Sequence, residues 1–105
     1  MITKIRVMLE YGTYCLWLYN EQGEIIGNDN PPEWLDDLEL TDAWMAVSDL
    51  YDSLFINTKH KFRYVGFPDP ETEQKLAGLI RHAMNLLMER NAGRYVIVND
   101  TGLSG

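Results

Sequence analysis

The sequence predicts an α+β fold: one small mixed or antiparallel sheet with two main helices packed on one of its faces, in the order β-β-(β)-α-β-α-β. Three observations carry this. Short segments near both ends alternate apolar and polar residues, as half-buried strands do. Two longer segments repeat apolar residues at three- and four-residue spacing, as amphipathic helices do. The 105 residues, 46% of them hydrophobic, suffice for one core without metal or disulfide staples. The two helical stripes then need a common sheet to bury against. A single domain over residues 1–105 is expected, with a frayed tail from about residue 100.

In chain order, residues 2–9 read as a strand with Ile5, Val7 and Leu9 on one side and Lys4 and Arg6 on the other. Tyr11-Gly12-Thr13 suits a turn, and residues 13–19, apolar on both faces and aromatic, suit a central strand. Asn20-Glu21-Gln22-Gly23 is a second turn, before a short third strand at Glu24-Ile25-Ile26. Gly27 to Pro32 is a loop whose prolines can open a short helix containing Trp34 and Leu35.

Residues 41–55 form the first predicted main helix, with Thr41 as N-cap. Ala43, Trp44, Val47, Leu50, Tyr51, Leu54 and Phe55 make its core face; Asp42, Ala46, Asp49 and Ser53 lie opposite, flanked by Met45 and Asp52. Residues 57–60 read as a turn and 61–67 as a strand alternating Lys61 and Arg63 with Phe62 and Tyr64. Asp69 then caps a second helix that has Pro70 at its first position and runs to about Asn91. Its buried stripe is Leu76, Leu79, Ile80, Ala83, Leu86 and Leu87, and Gly93 fits its stop. Residues 94–98 are the last strand. Lys4, Arg6, Lys61, Arg63 and Arg94 are expected on the sheet face away from the helices.

The net charge is −7, which argues against nonspecific binding to nucleic acid or to an anionic membrane. Residues 7–58 contain no Lys or Arg and eleven acids: Glu10, Glu21, Glu24, Asp29, Glu33, Asp36, Asp37, Glu39, Asp42, Asp49 and Asp52. The remainder is net +4. A one-signed run of this length points to an acidic interaction surface. Asp36, Asp37, Glu39, Asp42, Asp49, Asp52 and Trp34 are the candidate partner-binding residues. The bland reading stands beside it: Asp42 can serve its helix N-terminus, and Asp36 or Asp37 can cap a local turn. Trp17 and Trp44 are expected in the core; Trp34, after Pro-Pro, suits either core or interface.

Chemistry has little footing. There is no glycine-rich phosphate loop. One cysteine, Cys15, excludes an intrachain disulfide and fits a reducing compartment. With His60 and His82 it forms no local zinc cluster, and a thiol in an aromatic strand reads as packing rather than nucleophile. Asn28-Asp29-Asn30 lacks the full spacing of a calcium loop. Paired acids such as Asp36 and Asp37 arise by chance in so acidic a chain. Lys61, Arg63 and Arg94 with Tyr11 or Tyr64 form a weaker, single-stranded-RNA alternative. No enzyme activity, metal or cofactor is expected. No apolar run reaches the roughly 18 residues of a membrane span, and no signal-peptide core is visible, so a cytoplasmic location is expected.

The runs Leu9-Glu10-Tyr11-Gly12-Thr13-Tyr14, Trp17-Leu18-Tyr19-Asn20-Glu21, Gly23, Asn28 to Pro32, Tyr51-Asp52-Ser53-Leu54-Phe55 and Phe62-Arg63-Tyr64-Val65-Gly66-Phe67 form a pattern over about residues 5–90. It resembles small immunity proteins of bacterial polymorphic-toxin and contact-dependent growth inhibition systems. The resemblance implies a protein that binds and neutralises a cognate toxin domain, often a nuclease, and transfers no individual contact residue. A nuclease holds phosphates with Lys and Arg, so an acidic surface suits its cleft. The alternatives are a protein-interaction adaptor or regulatory subunit without a toxin, and a small enzyme with a carboxylate site.

Overall fold

The computed structural model describes residues 1–57, 62–64 and 69–102. Its main sheet has four strands, β1 (Ile2–Val7), β2 (Leu16–Asn20), β3 (Ile25–Gly27) and β6 (Val96–Asn99), in the order β3-β2-β1-β6. β1 and β2 are antiparallel, β2 and β3 are antiparallel, and β6 returns parallel to β1. The expected α+β architecture is present, and its sheet is mixed. Two helices, α1 (Leu38–Asp52) and α2 (Pro70–Asn91), complete it, with a short 3-10 turn at Pro32–Trp34 ahead of α1.

Register decides which face receives the helices. Ile5 pairs with Leu18 and Ile97, and Val7 pairs with Leu16. All but the half-buried Ile97 are buried, in one cluster with Leu40, Trp44 and Val47 of α1 and Leu76, Ile80, Ala83 and Leu87 of α2. Residues on the alternate phase, Lys4, Arg6, Trp17, Val96 and Val98, share the opposite face. Tyr19 lies there too, yet is buried beneath two cations. The Lys4 ammonium sits 4.5 Å from its ring centre, and Arg6 Nη1 donates to its hydroxyl at 3.4 Å. Trp17, expected in the core, is a correction. The period of β2 sends Leu16 and Leu18 inward, so Trp17 stays half-buried outside, its Nε1 donating to the Met8 carbonyl at 3.3 Å.

The turns follow their residues. Asn20 Oδ1 accepts from the Gln22 and Glu24 amides, and Gly23 takes φ +78°, where a side chain would be strained. Asn28 acts as a surrogate strand residue: its Nδ2 donates to the Tyr14 and Leu16 carbonyls and its Oδ1 accepts from the Tyr14 amide.

α2 starts as expected, with Asp69 accepting from the Thr72 amide at 2.7 Å and Pro70 leading. It ends on Ala92 in the left-handed region, followed by Gly93 at φ +82°. Asn91, buried, then clamps Tyr95: Oδ1 accepts from its amide at 2.8 Å and Nδ2 donates to its carbonyl at 2.9 Å. The clamp fixes where β6 leaves α2.

Two boundaries are corrected. α1 begins at Leu38, not after Thr41, because Asp37 is the N-cap and accepts from the Leu40 amide at 3.1 Å. Thr41 is instead a helical residue, half-buried, whose hydroxyl accepts from Asn30. α1 also stops at Asp52, since Phe55–Asn57 forms β4, antiparallel to β5 at Phe62–Tyr64. The strand expected over 61–67 therefore belongs to a separate two-stranded ribbon, not to the main sheet. Lys61, the 58–60 part of the expected turn and residues 65–67 lie outside the described residues.

Candidate acidic interface on the first helix

The acids of the Lys/Arg-free segment divide into those used by the fold and those left on its surface. Asp37 is used twice. Besides capping α1, its Oδ2 accepts from Arg90 Nε of α2 at 2.7 Å. The same guanidinium reaches Glu39 at 2.5 Å and Glu89 at 2.9 Å. The Arg90 hydrogen bond, with the Leu40 amide, holds the Asp37 carboxyl below its ordinary range. This network ties the start of α1 to the end of α2, and the cap itself contributes about 1 kcal/mol. Asp52 is half-buried and accepts from the Gly12 amide at 3.1 Å, pinning the β1–β2 connection to the end of α1. Asp37 and Asp52 are thus fold-supporting residues.

Asp36, Asp42 and Asp49 are exposed, and Glu39 is exposed beside Arg90. Leu38, Asp42, Met45 and Asp49 fall at positions i, i+4, i+7 and i+11 of α1, which is one stripe. It lies opposite Leu40, Ala43, Trp44 and Val47, which are buried. Leu38 is 72% exposed, Leu35 53% and Met45 44%. The surface therefore alternates acids with large apolar side chains.

Trp34 departs from the interface assignment. It is in the core cluster, edge-on to Tyr95 at 5.9 Å between ring centres. The prolines ahead of it turn the indole inward; Leu35, one residue on, faces water instead. Leu35 lies ahead of α1, at the end of the 3-10 turn, whereas a helix begun at Thr41 leaves Leu38 outside it. The signal for Leu38 is Leu40, which continues the apolar stripe of Ala43, Trp44 and Val47 one turn backward.

The other chemical candidates have local occupations. Asn28 and Asn30 spend their side-chain oxygens on Tyr14: Asn28 on its amide and Asn30 on its hydroxyl, at 2.7 Å for the latter. Asn30 Nδ2 also donates to the Trp34 carbonyl and to Thr41. The loop residues thus serve as internal struts. His82 is exposed on α2, and His60 lies outside the described residues. An open groove of about 450 Å³ is lined by Met1, Ile2, Pro32, Glu33, Arg94 and Tyr95. Its one carboxylate, Glu33, accepts from the Tyr95 hydroxyl and lies 3.7 Å from Arg94. A two-carboxylate site is not assembled there. Arg94 accordingly faces Glu33, and Arg63, on β5, is not part of the main sheet's outer face.

Cys15 is 2% exposed, and its Sγ lies 3.2 Å from Ser48 Oγ. Burial pushes its thiol up to about 11, partly opposed by the Ser48 hydrogen bond. The folded chain keeps this proton where an unfolded thiol, near 9, has lost it. The stabilisation is present in full below about pH 9 and is lost as pH rises toward 11. Urea unfolding at about pH 8 and about pH 10.5 should differ by on the order of 2 kcal/mol from this group. Cys15→Ser should remove that share of the difference; an unchanged difference in the serine variant would assign it to other groups.

No protein-family model matches the chain, and no curated protein matches it. Among the described residues no helix is long and apolar enough to cross a membrane.

Proposed function

We propose that this chain is a cytoplasmic immunity protein that binds and neutralises a cognate toxin domain carrying a basic surface, a nuclease being the class that fits best. The observation that carries the reading is the one-signed segment: eleven acids and no Lys or Arg over residues 7–58, with Asp36 exposed just before α1 and Asp42 and Asp49 exposed on it. The resemblance to small immunity proteins supports the same reading. Action by binding rather than chemistry is supported by the buried, proton-retaining Cys15 and by a groove whose one acid is already engaged.

The test is co-expression. The toxin-bearing domain encoded next to this chain should arrest growth alone and be harmless with it, and the two should purify as a complex. Cys15→Ser and His82→Ala should protect as well as the wild type. Arrest undiminished by the chain, with no complex recovered, would refute the reading; a complex whose protection vanishes in a folded His82→Ala variant would point to catalysis.

A further inference from the structure

We propose that the outer ridge of α1 docks into an apolar groove rimmed by Lys and Arg on a protein partner. Leu38 and Met45 are its anchors, and Asp42 and Asp49 meet the rim. The inference rests on the protein-binding reading above and adds the kind of surface the partner presents. Leu38, Asp42, Met45 and Asp49 share one stripe about 16 Å long. Leu35 and Asp36, both exposed, extend it at the helix start. Acids alone would make an ordinary solvated face. Here the two apolar side chains are 72% and 44% exposed, alternating with the acids. Their burial is the driving force that charges do not provide.

Charge selects the occupant. Anionic lipid and nucleic acid are repelled by the same acids that flank the anchors. A second copy packed about a two-fold axis would set these acids against one another. Arg90 does not neutralise the ridge, because Asp37, Glu39 and Glu89 already share its guanidinium at the flank. A basic protein surface is the complement that remains, and helix-in-groove docking reads residues at this spacing. The ridge is also held in place before binding, since Leu40, Trp44 and Val47 on the reverse of α1 are fully buried. Rigid presentation lowers the entropy lost on association.

The experiment places a photoreactive benzoylphenylalanine at Leu38, at Met45 or, as control, at Val96 on the outer sheet face. After irradiation of producing cells, the captured protein is identified, purified and titrated against variants over a salt series. Cross-links from positions 38 and 45, but not 96, to one basic protein are expected. The pair Leu38→Ser and Met45→Gln should weaken its binding ~30-fold or more with the salt dependence retained. The pair Asp42→Asn and Asp49→Asn should slow association and flatten the salt dependence. All four positions are solvent-exposed, and circular dichroism confirms folding; Leu38→Ser alone serves if a pair folds poorly.

Capture only from position 96, no capture from either ridge position, capture of an acidic protein or a second copy, or wild-type binding by both pairs would overturn the proposal. If both pairs still neutralise a toxin fully, the ridge is wrong and the immunity reading stands. If the ridge binds a basic protein that is no toxin, the reverse holds.

Discussion

Ile80→Ala should lower the free energy of unfolding by about 2–5 kcal/mol, and Leu54→Ala should fall in the same range. Ile80 is fully buried in the middle of α2, within the cluster that joins both helices to β1 and β2. Leu54 is 2% exposed and closes that cluster just past the end of α1. Each truncation removes apolar contact and leaves space that a close-packed core fills only partly. Neither position touches the acidic ridge, so urea unfolding followed by circular dichroism reads packing alone. Arg81→Ala, one residue along α2 and exposed, is the control and should be near neutral. Losses under about 0.5 kcal/mol at both Ile80 and Leu54 would mean that the core face is wrongly assigned.

That core face was legible from residue spacing. Leu76, Ile80, Ala83 and Leu87 in α2, and Ala43, Trp44 and Val47 in α1, repeat at helical intervals and are buried where the pattern puts them. The cap of α2 was equally legible, because Asp69 and Pro70 are local signals that need no tertiary partner. The start of α1 was not. Thr41 and Asp37 are both good N-caps, and the choice turns on Arg90, 53 residues away, which holds Asp37 in place. The ribbon of β4 and β5 was hidden for a related reason. Phe55 completes the apolar stripe of a helix as well as it opens a strand, and pairing with Tyr64 decides between them. Of the candidate interface, the excess of acid could be counted, but its division could not. Asp37 and Asp52 are engaged by a distant guanidinium and a distant amide, and no sequence pattern separates them from Asp42 and Asp49.

Trp44→Ala should be the most damaging single change in α1, at about 3–5 kcal/mol, while Trp44→Phe should be nearly neutral. The indole is fully buried at the centre of the helix's core face. Its Nε1–H has no hydrogen-bond partner among the described residues. A buried donor left unpaired costs about 1–3 kcal/mol, which the wild type bears for the volume the ring fills. Alanine removes the donor but empties the site, and the cavity dominates. Phenylalanine also removes the donor and keeps most of the ring, so a cavity loss of about 1 kcal/mol is offset by relief of the orphaned group. Urea unfolding of both variants separates the two effects. A phenylalanine variant that loses about 2 kcal/mol or more, the small cavity and a hydrogen bond together, would mean that the indole N–H is satisfied in solution. The consequence reaches the surface, because Trp44 and Met45 are adjacent on one helix, the first buried and the second exposed. Trp44→Ala should loosen α1 and weaken partner binding together, whereas Trp44→Phe should leave the outer ridge and its binding as they are.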